Sequence, residues 1–395
     1  MSALAIGRAV RLWLPRLWLW MLLVSLAACA GLPQQAAVSQ EELALAAGGA
    51  GLLPAGSEPV AEDLPSLLYV TPEMRRFARD AVGGRMELAD RTEALMQALG
   101  EGKGLHVRYD AEATLTAEQA FAQRRANCLS YTMLFVALAR EVGIPAQFNE
   151  VDIPPIWDLG DDRTSLLYLH INARVELPLR FYQVVDVSGE EIDPSYKQQV
   201  IADAEAQAQF YNNRAAQLRL QQRPGDALRY EVRALELAPD AAYLWTNLAS
   251  LYLLRGEARA ARIAITQSLQ LDSTSLAGYD TAAAVYRKLG EPKLALYFQQ
   301  RAEYFLDQNP YRHYQLALEA LLRQDKREAF EQARRAILLY PKDARFFFLM
   351  AVVENQLGDM DRAEESLRVA VLLEPDAARQ ERYKSKFARL VGERG

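Results

Sequence analysis

The chain has 395 residues, 51% hydrophobic and 24% charged, which excludes a wholly disordered or collagen-like protein. At roughly 150 residues per domain it holds two to three domains. Lysine and arginine number 45 against 51 acidic residues, a net charge of −6, which argues against a broad nucleic-acid-binding surface. Two cysteines, Cys29 and Cys128, and three histidines, His106, His170 and His313, exclude a disulfide scaffold. They also leave too few ligands for a Cys/His zinc cluster.

Arg8, Arg11 and Arg16 precede the uncharged run LWLWMLLVSLAA, Leu17 to Ala28. Twelve apolar residues are too few to span a bilayer, so residues 1–28 read as a signal peptide. The end, Leu26-Ala27-Ala28-Cys29, resembles the lipobox of bacterial lipoproteins. That resemblance implies cleavage before Cys29 and lipidation of its sulfur, which anchors the chain to a membrane. Ala30, not Asp, follows Cys29, the pattern of an outer-membrane lipoprotein facing the periplasm. Cleavage removes three arginines and no acid, taking the net charge from −6 to −9. The mature protein then keeps one free thiol, Cys128, in an oxidising compartment.

Residues 29–65 are rich in Ala, Gly, Pro and Gln and read as a flexible tether with one short helix around Gln40–Ala47. Thr71-Pro72 reads as an N-cap followed by Pro at the first helical position. Helices are expected over 72–82, 85–100 and 117–124. Asn127 caps a further helix that runs to Val142, where Gly143 and Pro145 end it. Cys128 opens that helix, where unpaired N–H groups and the positive dipole end favour an anion.

Between 145 and 187 the period changes to two. Tyr168, His170, Asn172 and Arg174 share one face of a strand; Leu167, Leu169, Ile171, Ala173 and Val175 share the other. A turn around Leu177–Arg180 leads to a second strand, 181–187. With Glu176 opposite Arg180, Asp186 falls directly across from His170. A carboxylate beside a strand-borne histidine is the arrangement that orients an imidazole. Residues 152–165 form a long loop between strands. His106 and His313 read as structural.

The run ANCLSYTMLFVALAREVGIPAQF, with His170 and then the VVD ending at Asp186, resembles the transglutaminase-like superfamily. The resemblance implies an α+β papain-like domain over 66–200. It implies Cys128 as nucleophile, His170 as base and acid, and Asp186 as the residue that orients His170. Asp193, before Pro194, is a lesser rival to Asp186. No metal or organic cofactor is required. The family often has an aromatic residue two positions after the histidine; here that position is Asn172.

From 205 onward the pattern is helical and repeats. Turns fall at Gln222, Gly256, Gly290, Asp325 and Gly358. Ala227, Ala261, Ala295, Ala329 and Ala363 follow, and most units close on Pro. Tyr211, Trp245, Tyr279 and Phe346 recur near the start of the first helix. A period near 34 with small residues at these places resembles the tetratricopeptide repeat. Five units and a capping helix are expected over 205–393, an all-α solenoid. Asn213 and Asn247, 34 positions apart on first helices, are the expected contacts to a protein or peptide partner.

Two functions follow. The first is an envelope lipoprotein with a thiol-dependent amide hydrolase or acyl-transfer domain, directed to its targets by the repeats. The second is a non-enzymatic repeat adaptor in envelope assembly that carries an inactive papain-like module.

Overall fold

The computed structural model describes residues 38–53, 64–100, 104–151, 170–178, 181–186, 197–374 and 377–392. The signal peptide, Cys29, the 152–165 loop and Asp193 lie outside the described residues. Among the described residues no helix is long and apolar enough to cross a membrane.

The first helix, α1, covers Gln40–Ala47, and a single turn, α2, covers Leu64–Leu67. Helix α3, Pro72–Val82, starts as its sequence dictates: Thr71 Oγ1 accepts from Met74 N at 3.2 Å and Pro72 occupies the first position. Helix α4 spans Leu88–Leu99. A two-residue bridge pairs β1, Arg108–Tyr109, with β2, Arg125–Ala126, in parallel. Between them α5, Ala117–Gln123, carries a capping box in which Thr116 and Gln119 satisfy each other's backbone N–H groups.

Helix α6, Cys128–Glu141, is the axis of this region. Leu129 to Ala139 are all buried, so the helix is covered on every side. Gly143, at φ 74°, ends it in the left-handed region. The sheet beside it has the order β5-β4-β3-β6 and is antiparallel throughout. Its strands are β3, Ala146–Val151, β4, His170–Glu176, β5, Tyr182–Val185, and β6, Gln198–Ile201. Phe148, Ile171, Ala173 and Val175, all nearly inaccessible, lie with α6 in one apolar core.

The rest is five antiparallel helical hairpins and a last helix. The hairpins are α7/α8 (Asp203–Leu220, Pro224–Leu237), α9/α10 (Ala242–Leu254, Ala258–Leu271) and α11/α12 (Leu276–Lys288, Pro292–Asp307). Then come α13/α14 (Pro310–Leu322, Lys326–Leu339), α15/α16 (Ala344–Leu357, Met360–Leu373) and α17 (Ala377–Gly392).

The turns inside the hairpins fall at Gln222, Gly256, Gly290, Gln324 and Gly358, spaced 34 residues apart and all at positive φ. The fourth landmark is therefore Gln324, not Asp325, and Asp325 instead caps α14 by accepting from Glu328 N at 3.1 Å. The repeating alanines, Ala227, Ala261, Ala295, Ala329 and Ala363, are all buried. His313 is buried in the slot that Tyr211, Trp245 and Tyr279 fill in the earlier units. Its ring nitrogens lie 2.6 Å from Gln332 Oε1 and 2.9 Å from the Asp307 carbonyl.

The flexible tether expected over 29–65 does not extend through residues 41–53. Ala46 is buried, Leu43, Ala47, Leu52 and Leu53 pack on the common core, and the Tyr252 hydroxyl donates to the Ala46 carbonyl. Apolar Leu and Ala in this stretch find a surface on the repeats, which outweighs the freedom that its glycines confer. The described residues from Glu41 onward form one compact unit. Arg140 binds Asp203 through two bonds of 2.7 and 2.9 Å, and Gln209 donates to Glu150 at 2.6 Å. The first repeat is thus joined to the sheet-bearing region by polar contacts as well as by shared core.

Candidate active site

Cys128 is half-buried at the first position of α6. Three side chains fix that helix end. Asn127 Oδ1 accepts from Ser130 N at 2.9 Å, while its amide donates to Thr114 Oγ1 at 3.0 Å. Ser130 Oγ donates to the Ala113 carbonyl at 2.9 Å and accepts from Leu115 N at 2.7 Å. Thr132 Oγ1 lies 2.8 Å from the Cys128 carbonyl and 3.2 Å from the Ile171 carbonyl, so one hydroxyl ties the start of α6 to β4.

His170 begins β4, across from Val151 on β3. Its Nε2 is bonded to Asp186 Oδ2, and its ring also bonds the Cys128 thiol. Cys128, His170 and Asp186 are therefore brought together, as the sequence implies.

The register differs from expectation. Ala173 is opposite Val185 and Glu176 is opposite Tyr182, so the next position sets Asp186 across from Asn172, not His170. The turn is closed by Leu177 N donating to the Phe181 carbonyl at 2.8 Å, so its centre lies one residue further along the chain than in a turn with Glu176 opposite Arg180. An even slip keeps every side chain on its face. Asp186 accordingly stays on the His170 side and reaches it along the diagonal.

That geometry recruits residues the sequence reading missed. Asn172 donates to Asp186 Oδ2 at 3.3 Å and accepts from Asn149 Nδ2 at 2.8 Å. Asn149 also donates to Gln198 Oε1 at 3.1 Å. Both asparagines are completely buried. A chain of amides on neighbouring strands thus backs the carboxylate. The signal was present: Asn172 lies on the polar face with His170, yet no solvent reaches it.

Burial works against a charged His170 ring, but the hydrogen bonds to Asp186 and Cys128, and then their charges, prevail. The imidazole is raised from its ordinary 6.5 to about 9. Tyr131, one turn along α6, is pushed up to about 12 by burial and by the charge of Asp186. The arrangement sets the imidazole beside the Cys128 thiol and a carboxylate that favours its charged form, which suits taking the thiol proton and then delivering it to a leaving group. Of the expected partner contacts Asn213 and Asn247, on α7 and α9, Asn247 donates through Nδ2 to Asn212 Oδ1 at 2.6 Å.

Residues 75–158 match the family model of the transglutaminase-like superfamily. The match includes Cys128 and stops before His170 and Asp186. No curated protein matches the chain. Among solved structures, YrrB, described as a tetratricopeptide-repeat protein with an unusual peptide-binding site, is 24% identical over 45% of this chain and 92% of its own, at a TM-score of 0.24. PilF of Pseudomonas aeruginosa is 15% identical over 49% of this chain and 88% of its own, at a TM-score of 0.26. MamA of Desulfovibrio magneticus RS-1 is 18% identical over 42% and 94%, at a TM-score of 0.25. At these scores the likenesses carry no functional argument, and the repeat class rests on the five hairpins and their 34-residue turns. The chain carries a transglutaminase-like domain followed by an all-α array of tetratricopeptide type.

Proposed function

We propose that this protein is a membrane-anchored envelope lipoprotein whose transglutaminase-like domain cleaves or transfers amide bonds through Cys128. The observation that carries this reading is the hydrogen-bonded series Cys128, His170, Asp186 with the thiol at a capped helix N-terminus. His170 takes the thiol proton, and the sulfur attacks a carbonyl carbon to form a tetrahedral intermediate. The backbone N–H of Cys128, which has no partner within the helix, donates to the oxyanion. His170 then returns the proton to the leaving amine. Attack of water on the acyl-enzyme gives hydrolysis, and attack of a second amine gives transfer.

In this reading lipidated Cys29 holds the protein to the outer membrane, facing the periplasm, and the repeat array recruits a protein or peptide. The test of the chemistry is release of ammonia, or formation of a hydroxamate with hydroxylamine, from a blocked glutaminyl peptide. Activity is expected in the wild type and absent from Cys128→Ala and His170→Ala. A wild type without either product, and with a thiol that labels no faster than in His170→Ala, overturns the enzymatic reading. The anchor is tested by incorporation of a labelled fatty acid, expected to be lost in Cys29→Ser.

A further inference from the structure

The first two repeats enclose a pocket that the candidate active site does not use. Helix α7 contributes Asn212, Ala215, Ala216 and Arg219, α8 contributes Glu231, and α9 contributes Asn247 and Leu251. It contains about 280 Å³ of empty space, part of it continuous with solvent.

Its floor is unusual. Glu231 is 1% exposed, and its Oε1 is buried with no hydrogen bond. Buried polar atoms almost always find a partner, so an orphan acceptor aimed into a pocket has no structural explanation. Burial holds the Glu231 carboxyl well above the usual range, and the nearby charge of Arg219 only partly offsets this. The surroundings are acidic on several sides. Tyr243 on α9 is kept from ionising by burial and by the carboxylates of Glu150 on β3, Glu231 on α8 and Glu205 on α7. Arg219 on α7 is the cation that lines the pocket. Above the floor, the bond from Asn247 Nδ2 to Asn212 Oδ1 leaves the Asn212 amide hydrogens and the Asn247 carbonyl oxygen available. One donor and one acceptor side by side match one peptide unit.

We propose that this pocket binds a primary ammonium carried by an extended peptide, with Glu231 as counter-ion and the Asn212–Asn247 pair holding the peptide backbone. The Glu231 carboxyl gives its proton to solvent and the ammonium replaces it. A compact ammonium fits a single buried oxygen, whereas a guanidinium needs both carboxylate oxygens in a fork. The ammonium is supplied by a lysine side chain or by a peptide N-terminus. The proposal deepens the reading of the array as a peptide-binding element and is independent of the chemistry at Cys128.

The experiment is calorimetric titration of the purified full chain with acetyl-Ala-Ala-Lys-Ala-Ala-amide, its norleucine counterpart, and the norleucine peptide with a free N-terminus. The lysine or the free-amine peptide is expected to bind at least about tenfold more tightly than the blocked norleucine peptide. Whichever of the two binds more tightly identifies the source of the ammonium. Glu231→Gln is expected to erase the difference, and Asn247→Ala to weaken all three peptides alike. Arg219→Ala, which leaves the buried acid in place, is expected to tighten the charged peptide and leave the blocked one unchanged. Equal binding of charged and blocked peptides, or discrimination that survives Glu231→Gln, overturns the ammonium site while leaving the array as a peptide binder. Absence of binding by every peptide overturns both.

Discussion

Asp186 is set across from Asn172 and reaches His170 along the diagonal of the β4/β5 pair. The carboxylate oxygen Oδ2 is therefore shared between an imidazole and a buried amide. The amide cannot move freely, because Asn149 holds its other end at 2.8 Å.

Asn172 is accordingly a positioning residue. Asn172→Leu keeps the branched shape of the amide and removes both bonds. Thiol alkylation at pH 7 is expected to slow by about tenfold, as when a charge-assisted bond of ~1.5 kcal/mol is lost. Asn172→Asp places a second carboxylate beside Asp186 and is expected to move the pH profile of alkylation, which simple loss of packing does not do. Unchanged rates and profile in both variants assign Asn172 to structure alone.

His170 makes stability depend on alkaline pH. Its folded-state value of about 9 lies above the ordinary 6.5 of an unfolded chain, so the contribution is complete below 6.5 and is lost as pH rises through 9. The side chain is only 12% exposed, so screening is modest, and the difference corresponds to about 3 kcal/mol at most. Urea midpoints at pH 6.5 and 9.5 are expected to differ more in the wild type than in His170→Ala. Equal pH dependence in the two proteins removes the imidazolium from the account.

Much of this was legible in the sequence, for reasons that differ by element. The helix beginning at Cys128 is announced by Asn127 and closed by Gly143, because capping is local. The repeats are legible because five units agree. The face shared by His170 and Asp186 is legible because alternation is a property of any strand, but their register is not, since it depends on how the turn closes. The packing of residues 41–53 was hidden altogether. Its composition is that of a linker, and only the surface presented by Tyr252 and its neighbours makes it bind.

Two turns of the array hold left-handed backbone without glycine. Gln222 has φ 60° and Gln324 has φ 62°, while Gly256, Gly290 and Gly358 do the same work elsewhere. A side chain at such a position costs about 1 kcal/mol that glycine avoids, less the glycine's own entropy in the unfolded chain. Gln222→Gly and Gln324→Gly are each expected to raise stability by up to about 1 kcal/mol in thermal unfolding. Glycine variants no more stable than the corresponding alanine variants refute the strain argument.

The last relationship links the array to the nucleophile. Gln217 on α7 donates to the Glu112 carbonyl at 2.6 Å and to Thr114 Oγ1 at 2.9 Å. The same Thr114 oxygen accepts from Asn127, whose own carbonyl caps the helix of Cys128. Removing the cap with Asn127→Ala costs about 1 kcal/mol of stability and loosens the N-terminal turn. It is expected to slow alkylation of Cys128 as well, because the turn supplies the N–H groups around the sulfur. Gln217→Ala leaves the cap itself intact and breaks only the tie from the repeat. If the tie matters to the site, Gln217→Ala is expected to slow alkylation by a smaller factor than Asn127→Ala, and the pair of changes to cost less than the sum of each alone. A double-mutant cycle read by alkylation rate decides it. Strict additivity means the repeat array supports the domain without bearing on its thiol.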